Sequence, residues 1–205
     1  MPLVYQQNIN DTTKIAVWHI TEDEEFFLKL VPLQRSITHW HKRLQHLAGR
    51  LLLKEMFPDF PIDLIRVADT RKPFLEDEAF HFSIAHSGDF AAAMVSISKR
   101  VGVDVEWNNP KLEQIQLKFM SQNDWRVVKG KWKRQEWLTL CWTVKEAVFK
   151  WWGSGGVDFI KDINIVGVEG IKNGIINCIF RKEIKLEVHF IHLHNNYLAW
   201  VLTSH

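Results

Sequence analysis

The sequence has few of the residues that build cross-linked, fibrous or membrane-spanning proteins. Only two cysteines occur among 205 residues, so neither a disulfide framework nor a cysteine-rich zinc site can form. No uninterrupted run of about 18 apolar residues exists, which excludes a transmembrane helix. With 6 prolines, 10 glycines and 46% hydrophobic residues, the chain is not collagenous, low in complexity or disordered. These absences predict a globular protein of one large domain or two small ones.

Targeting signals are also missing from the two ends of the sequence. The first residues lack the basic and apolar regions of a secretory signal, and the last four carry no lipidation box. Because both cysteines are expected to be reduced, we expect a cytoplasmic protein that does not act at a membrane.

Charge is nearly balanced, since 26 Lys and Arg against 24 Asp and Glu give a net charge of +2. This balance argues against a nucleic-acid partner, because nucleic-acid-binding domains are usually strongly basic. Residues 129–134, here called the basic segment, nevertheless hold four cations in six positions. The basic segment predicts either a solvated helix face or a docking patch for an acidic protein.

Apolar periodicity predicts two long helices, at residues 37–57 and 135–152. Shorter helices are predicted at 111–120 and 121–129, and strands at 14–20, 63–68, 80–85, 90–98, 101–107, 162–167, 175–180, 184–190 and 197–203. Ser87-Gly88-Asp89 and Asn173-Gly174 predict hairpin turns. Because runs of strands are separated from runs of helices, the order favours an α+β fold over a doubly wound sheet. Residues 1–100 and 101–205 are predicted to form two α+β halves, each with a long helix and a small antiparallel sheet.

Common nucleotide-binding and hydrolase motifs are absent: there is no P-loop, no dinucleotide fingerprint and no nucleophile elbow. Histidines cluster at His39 and His41, and at His189, His192 and His194. A zinc site would need further ligands at suitable spacing, so exposed histidines are the favoured interpretation.

The predicted strand at 101–107 places two carboxylates on one face. Period-two alternation puts Asp104 and Glu106 opposite the valines of the same strand. Two adjacent carboxylates repel each other unless water or a cation screens them. The segment is therefore either a half-exposed strand with a wet face or part of a Mg²⁺ site, since hard divalent ions prefer carboxylate oxygens.

The predicted helix at 135–152 places Trp142, Glu146 and Lys150 four residues apart on one face. Two structural interpretations compete with a functional one. Thr143 to Glu146 matches a capping box, although helical periodicity continues upstream of Thr143. Glu146 and Lys150 also match a favourable surface ion pair.

A third segment combines a basic turn with a histidine at a strand end. Arg71-Lys72-Pro73 precedes Phe82-Ser83-Ile84-Ala85-His86-Ser87-Gly88. Lys72 and His86 could meet a phosphate, or they could be an ordinary surface turn and a capping histidine.

In this order and spacing, the segments resemble the 4'-phosphopantetheinyl transferase family of the surfactin-synthetase-activating type. The resemblance rests on Arg71-Lys72-Pro73, on residues 82–88, on Gly102-Val103-Asp104-Val105-Glu106 and on Trp142-Thr143-Val144-Lys145-Glu146-Ala147-Val148-Phe149-Lys150. Leu47-Ala48-Gly49-Arg50-Leu51 is also similar to the N-terminal half of that family, and the match spans roughly residues 45–156.

The resemblance implies a pseudo-twofold between the two halves, with coenzyme A bound in the cleft between them. It implies a Mg²⁺-dependent holo-[acyl-carrier-protein] synthase, which moves the 4'-phosphopantetheine arm of coenzyme A to a serine of an apo acyl or peptidyl carrier protein and releases adenosine 3',5'-bisphosphate. A pseudo-twofold within one chain favours a monomer. Such carriers are usually acidic, which makes the basic segment a candidate docking patch.

The resemblance also implies roles for individual residues. Asp104, Glu106 and Glu146 would bind Mg²⁺, with Glu146 as the base for the serine hydroxyl. Lys150 would steady the diphosphate or protonate the leaving group. The phosphates on the nucleotide side would be bound by Lys72 and His86, with Arg43 as a further candidate.

Two positions depart from the family pattern. Arg71 stands where the family has glycine, and Ala85 replaces a serine whose hydroxyl helps to hold a coenzyme A phosphate. These departures motivate an alternative, a non-catalytic relative that binds coenzyme A or a carrier protein without transfer. A generic Mg²⁺ phosphohydrolase is a third hypothesis.

Overall fold

The structure is a computed structural model that describes residues 2–128, 130 and 132–204, so Lys129 and Lys131 of the basic segment lie outside the described residues. The helices are α1 (Glu24–Leu28), α2 (Trp40–Met56), α3 (Leu112–Ile115), α4 (Gln122–Val127) and α5 (Arg134–Trp152), with 3₁₀ turns at Ile62–Leu64 and Gln116–Lys118. The strands are β1 (Leu3–Asn10), β2 (Thr13–His19), β3 (Arg66–Val67), β4 (Pro73–Phe74), β5 (His81–Ser87), β6 (Phe90–Ser96), β7 (Arg100–Trp107), β8 (Ile163–Gly170), β9 (Asn173–Phe180), β10 (Ile184–Leu193) and β11 (Asn196–Thr203).

The predicted α+β class is confirmed, because long helices accompany antiparallel sheets of four and five strands, with β3 and β4 forming a further two-stranded sheet. The chain divides into two compact units: the first holds the described residues up to Val101 and from Thr203 on, and the second is Gly102–Leu202. The predicted boundary at residue 100 and the pseudo-twofold stay predictions.

In the first unit, α2 covers a four-stranded sheet of order β1-β2-β6-β5. Leucines recur along α2 at helical spacing, and Leu44, Leu47, Leu51 and Leu52 are all buried. They pack with apolar side chains of the sheet, among them Trp18 and Val95. The predicted Gly88-Asp89 hairpin is confirmed, since Ser87 pairs with Phe90 across it.

Strand β1 was not predicted, and the reason is its place at the edge of the sheet. It pairs only with β2 in the sheet order, and most of its residues are partly or fully exposed. A strand with little buried surface has no alternation of apolar and polar residues for the sequence to reveal.

In the second unit, α5 is associated with a five-stranded sheet of order β7-β11-β10-β9-β8. One apolar cluster joins the buried face of α5 to the sheet, and includes Trp137, Val144, Val148, Phe180 and Val201. Helix α5 ends at Trp152 and is capped by Gly153, whose N–H donates to the Phe149 carbonyl.

Three local predictions in these units were wrong. Residues 63–68 form a 3₁₀ turn and the two-residue strand β3 rather than one strand. The predicted hairpin between β8 and β9 forms, but the placement of its turn was wrong, because Asn173-Gly174 lies within β9 and the left-handed residue next to the turn is Gly170, with φ 85°. Helix α3 is shorter than predicted: Gln116–Lys118 form a 3₁₀ turn, and the chain leaves helical geometry at Phe119, whose carbonyl accepts a hydrogen bond from Lys145.

Candidate active site

The close approach of β7 and α5 depends on Gly102, the glycine of the carboxylate motif. A β-carbon at this position would overlap the Ala147 carbonyl oxygen and lie 2.6 Å from the Trp151 backbone nitrogen. Only a residue without a side chain lets the helix backbone lie this close to the strand. The motif glycine therefore brings the strand that carries Asp104 and Glu106 against the helix that carries Glu146 and Lys150.

Lys145, the neighbour of Glu146, fixes the helix on its other side. Its side chain is fully buried, and its ammonium donates to the carbonyls of Phe119 and Phe159 at 2.7 and 2.9 Å and to Asp124 Oδ2 at 2.8 Å. A buried ammonium with three acceptors is satisfied and has no donor left for a substrate. The sequence motif gives no indication of this structural role of Lys145.

Lys150 faces the strand rather than the solvent. Its Nζ lies 2.7 Å from Asp104 Oδ1, and the two side chains are 26% and 9% exposed. Burial raises the pKa of Asp104, while the charge of Lys150 and its hydrogen bond act in the opposite direction.

Glu146 lies in the electrostatic field of the two strand carboxylates. Burial raises the pKa of Glu146 to about 7, and Asp104 and then Glu106 add to the rise by repulsion, while Lys150 opposes it. Asp104 and Glu106 are therefore close enough to raise the pKa of Glu146, and we call these three side chains the carboxylate cluster. A carboxyl group with a pKa near neutrality can take up or release a proton at physiological pH.

The structure decides between the interpretations that the sequence left open for this helix. Thr143 does not cap a helix, because it lies in the middle of α5 and its hydroxyl bonds to the Thr139 carbonyl. Lys150 forms its ion pair with Asp104 of the strand, so the segment is not simply a solvated i,i+4 pair.

The candidate phosphate-binding residues lie in the first unit. Lys72 directly precedes β4. Burial lowers the pKa of Lys72 to about 8, with a smaller contribution from Arg100. His86 is an exposed residue near the end of β5. Arg43 holds Glu24 through two of its nitrogens, with Nη2 2.6 Å from Oε2 and Nε 2.9 Å from Oε1.

A polar cluster on α2 was missed by the sequence analysis. Arg50 and His46 are buried one turn apart, with Nη1 of Arg50 3.1 Å from Nδ1 of His46 and Nε donating to Gln34. Burial lowers the pKa of His46 to about 3, so the ring is neutral at physiological pH. Among the described residues, neither His46 Nε2 nor Gln45 Oε1 has a hydrogen-bond partner. The apolar stripe of α2 hid these groups, because polar residues between leucines are usually exposed.

A comparison of the sequence with the profiles of known families identifies the family of the chain. The profile of the 4'-phosphopantetheinyl transferase superfamily matches residues 100–202, which is half of the chain. The chain belongs to this superfamily. A search of the curated proteins finds no match for it.

Membership of the 4'-phosphopantetheinyl transferase superfamily supports transferase activity of the phosphopantetheinyl kind. The matched range contains β7 and α5, and with them the carboxylate cluster and Lys150. No helix among the described residues is long and apolar enough to cross a membrane.

Transferases of this superfamily generally use coenzyme A and Mg²⁺, and the donor chemistry of the carboxylate cluster fits such an ion. Asp104 and Glu106 disfavour the ionised form of Glu146 by repulsion, and such a set of carboxylates favours a hard cation with oxygen ligands. Within the described part of the chain, however, no group of three or more His, Cys, Asp or Glu side chains is arranged to hold a metal ion. The residues therefore fit Mg²⁺ by their chemistry, and their side chains would have to rearrange to bind it.

The two departures from the transferase pattern have different structural settings. Arg71 adopts φ 66°, so an arginine occupies the left-handed conformation that glycine takes without strain. Ala85 is buried in β5 and pairs with Ala92 of β6. Neither residue belongs to the unit that holds the carboxylate cluster.

Proposed function

We propose that this protein transfers the 4'-phosphopantetheine arm of coenzyme A to a serine of an apo acyl or peptidyl carrier protein, as a Mg²⁺-dependent holo-[acyl-carrier-protein] synthase. The observation that carries the proposal is the carboxylate cluster, in which a helix carboxyl with a pKa near 7 interacts with two strand carboxylates. Family membership supports the reaction class.

The reaction breaks a phosphoanhydride bond and makes a phosphate ester. The serine oxygen bonds to the phosphorus that carries pantetheine, the bond from this phosphorus to the bridging oxygen breaks, and adenosine 3',5'-bisphosphate leaves. Mg²⁺ bound by Asp104, Glu106 and Glu146 would neutralise charge that develops on the diphosphate.

Two residues of α5 are proposed to accept the proton and to stabilise the leaving group. Glu146, when ionised, accepts the proton of the serine hydroxyl as the oxygen attacks. Lys150, one helical turn further on, stabilises the negative bridging oxygen as the bond breaks or protonates it. Both side chains are partly buried, which strengthens their electrostatic effect.

In the first unit, Lys72 and His86 are proposed to bind the phosphates on the nucleotide side of coenzyme A. A lysine with a pKa of about 8 is still mostly charged at pH 7 and gains from an anionic partner. Arg43 can contribute only if it leaves Glu24, so it is the weaker candidate.

The test is mass spectrometry of an apo carrier protein after incubation with the full chain, coenzyme A and Mg²⁺. We expect the carrier serine to gain one phosphopantetheine group, and Glu146→Gln to reduce the rate by a factor of about 10² or more. Glu183→Gln, an exposed substitution in the same unit, is the matched control and should transfer normally.

The same assay separates the alternatives. A non-catalytic relative, which the Arg71 and Ala85 departures would favour, binds coenzyme A but leaves every carrier unmodified. A phosphohydrolase releases pantetheine phosphate from coenzyme A when no carrier is present. Failure to modify fatty-acid, polyketide and peptide-synthetase carriers alike would contradict the transferase.

A further inference from the structure

The ion pair between Lys150 and Asp104 uses an oxygen of the carboxylate cluster. Lys150 Nζ is 2.7 Å from Asp104 Oδ1, within hydrogen-bonding distance. Asp104 is almost completely buried, so few water molecules can take the place of the ammonium. The ammonium of Lys150 therefore supplies part of the positive charge that the three carboxylates need.

Lys150 and Lys145 carry the same charge five residues apart, but their environments differ. Lys145 is enclosed by three acceptors on the other side of α5, and its ammonium is fully buried. Lys150 pairs with Asp104 and has a side chain that is 26% exposed, so it can move without opening the core. An ammonium at a partly open position is an exchangeable counter-ion, whereas a fully enclosed one is a fixed part of the fold.

A divalent ion at the carboxylate cluster would have to share Asp104 with Lys150. Two cations on one carboxylate repel each other strongly where solvent screening is low. We propose that Lys150 competes with the divalent ion for Asp104, and that binding of the ion releases the ammonium for an anionic group of the substrate. This inference rests on the proposed function, because it assigns the ion to the carboxylate cluster.

Competition has a consequence that a purely substrate-binding lysine would not have. Lys150 lowers the affinity of the cluster for the ion when no substrate is present, and removing its charge must raise that affinity. A lysine that acts only on the diphosphate would leave the affinity for the metal alone unchanged.

The test is a titration of the full chain with Mn²⁺ in the absence of coenzyme A and carrier. Electron paramagnetic resonance of the free ion and calorimetry measure the binding. Lys150→Met is expected to bind Mn²⁺ about tenfold more tightly than the wild type, because a competing charge is removed. Lys150→Gln serves as a second variant with a polar side chain, and thermal unfolding checks that both variants fold.

Lys161→Met is the matched control, because it removes one exposed cation from the same unit. Its Mn²⁺ affinity should stay at the wild-type value, which separates local competition from a change in net charge. Glu146→Gln should weaken Mn²⁺ binding and thereby locate the ion at the carboxylate cluster.

The outcomes are distinguishable from those of the transfer assay. Equal or weaker Mn²⁺ binding by both Lys150 variants overturns the competition, even if the wild type modifies carriers. Tighter binding by Lys161→Met to the same extent also overturns it. An absence of Mn²⁺ binding to all the proteins overturns both the competition and the metal part of the proposed function, while the carrier assay still tests transfer.

Discussion

At the scale of single residues, Glu146 is a group whose ionisation the fold changes strongly. Its pKa rises from an ordinary value of 4.5 to about 7, chiefly through burial and then through repulsion by Asp104. The folded protein thus holds the Glu146 proton at a pH where the unfolded chain has lost it. Between these two pKa values, rising pH lowers the free energy of unfolding.

When divalent ions are chelated, the free energy of unfolding of the wild type should fall as the pH rises. We therefore predict that Glu146→Gln removes part of this fall. At about 1.4 kcal/mol per pKa unit, the variant should exceed the wild type by up to about 3 kcal/mol at pH 8 and differ little at pH 4. Urea unfolding at a series of pH values in EDTA measures this difference. Glu183→Gln is the exposed control, and parallel pH curves for wild type and Glu146→Gln would contradict the prediction.

At the scale of secondary-structure elements, the site depends on how tightly β7 and α5 pack. Gly102 lets the strand touch the helix backbone, while Lys145 ties the opposite side of the helix to the carbonyls of Phe119 and Phe159. The motif residues thus divide into two sets. Gly102 and Lys145 hold the elements together, and the carboxylate cluster and Lys150 are the groups for which we propose a chemical role.

From this packing we predict that Gly102→Ala is strongly destabilising. The added methyl group would overlap the Ala147 carbonyl, which is backbone and cannot rotate away. We expect a loss of about 1–3 kcal/mol or more in the free energy of unfolding, together with reduced transfer activity.

Gly167→Ala provides the matched control for this experiment. Its methyl group would lie 3.4 Å from the Asn177 side chain, an ordinary contact, so unfolding should change little. Equal effects of the two substitutions would show that the close approach at Gly102 does not matter.

At the scale of the whole molecule, charge is balanced overall and uneven locally. Of the described residues in the basic segment, Lys133 has a side chain 86% exposed and lies 3.9 Å from Glu136. Arg134 is engaged in the fold, because it contacts Glu113 and Gln116 and stacks on Trp125. Lys133 is therefore better placed than Arg134 to meet a partner.

We predict that Lys131→Glu combined with Lys133→Glu raises the KM for an acidic carrier severalfold and flattens its salt dependence. The reason is that opposite charges attract over about 10 Å at 0.1 M salt. Steady-state kinetics at several ionic strengths measures both effects. Lys161→Glu with Lys185→Glu makes the same change in net charge elsewhere, and equal effects of the two pairs would reduce the basic segment to a solvated face.

The sequence by itself determined the features that follow from local pattern. Apolar periodicity predicted α2 and α5 nearly to their ends, and the Gly88-Asp89 pair predicted its hairpin, because helix periodicity and turn geometry depend on neighbouring residues. The order and spacing of the motifs indicated the family, because they resemble the pattern of that family and a motif is a local feature of the sequence.

Only the tertiary structure decided which side of each element these residues use. The Lys145–Asp124 and Lys150–Asp104 pairs join residues 21 and 46 positions apart, and Arg43 takes Glu24 as its partner. Such pairings depend on which surfaces meet when helices and strands pack, and a local sequence pattern does not predict which surfaces these are. The same reason explains why two lysines of one motif differ in environment: Lys145 is buried in the core, and Lys150 faces Asp104.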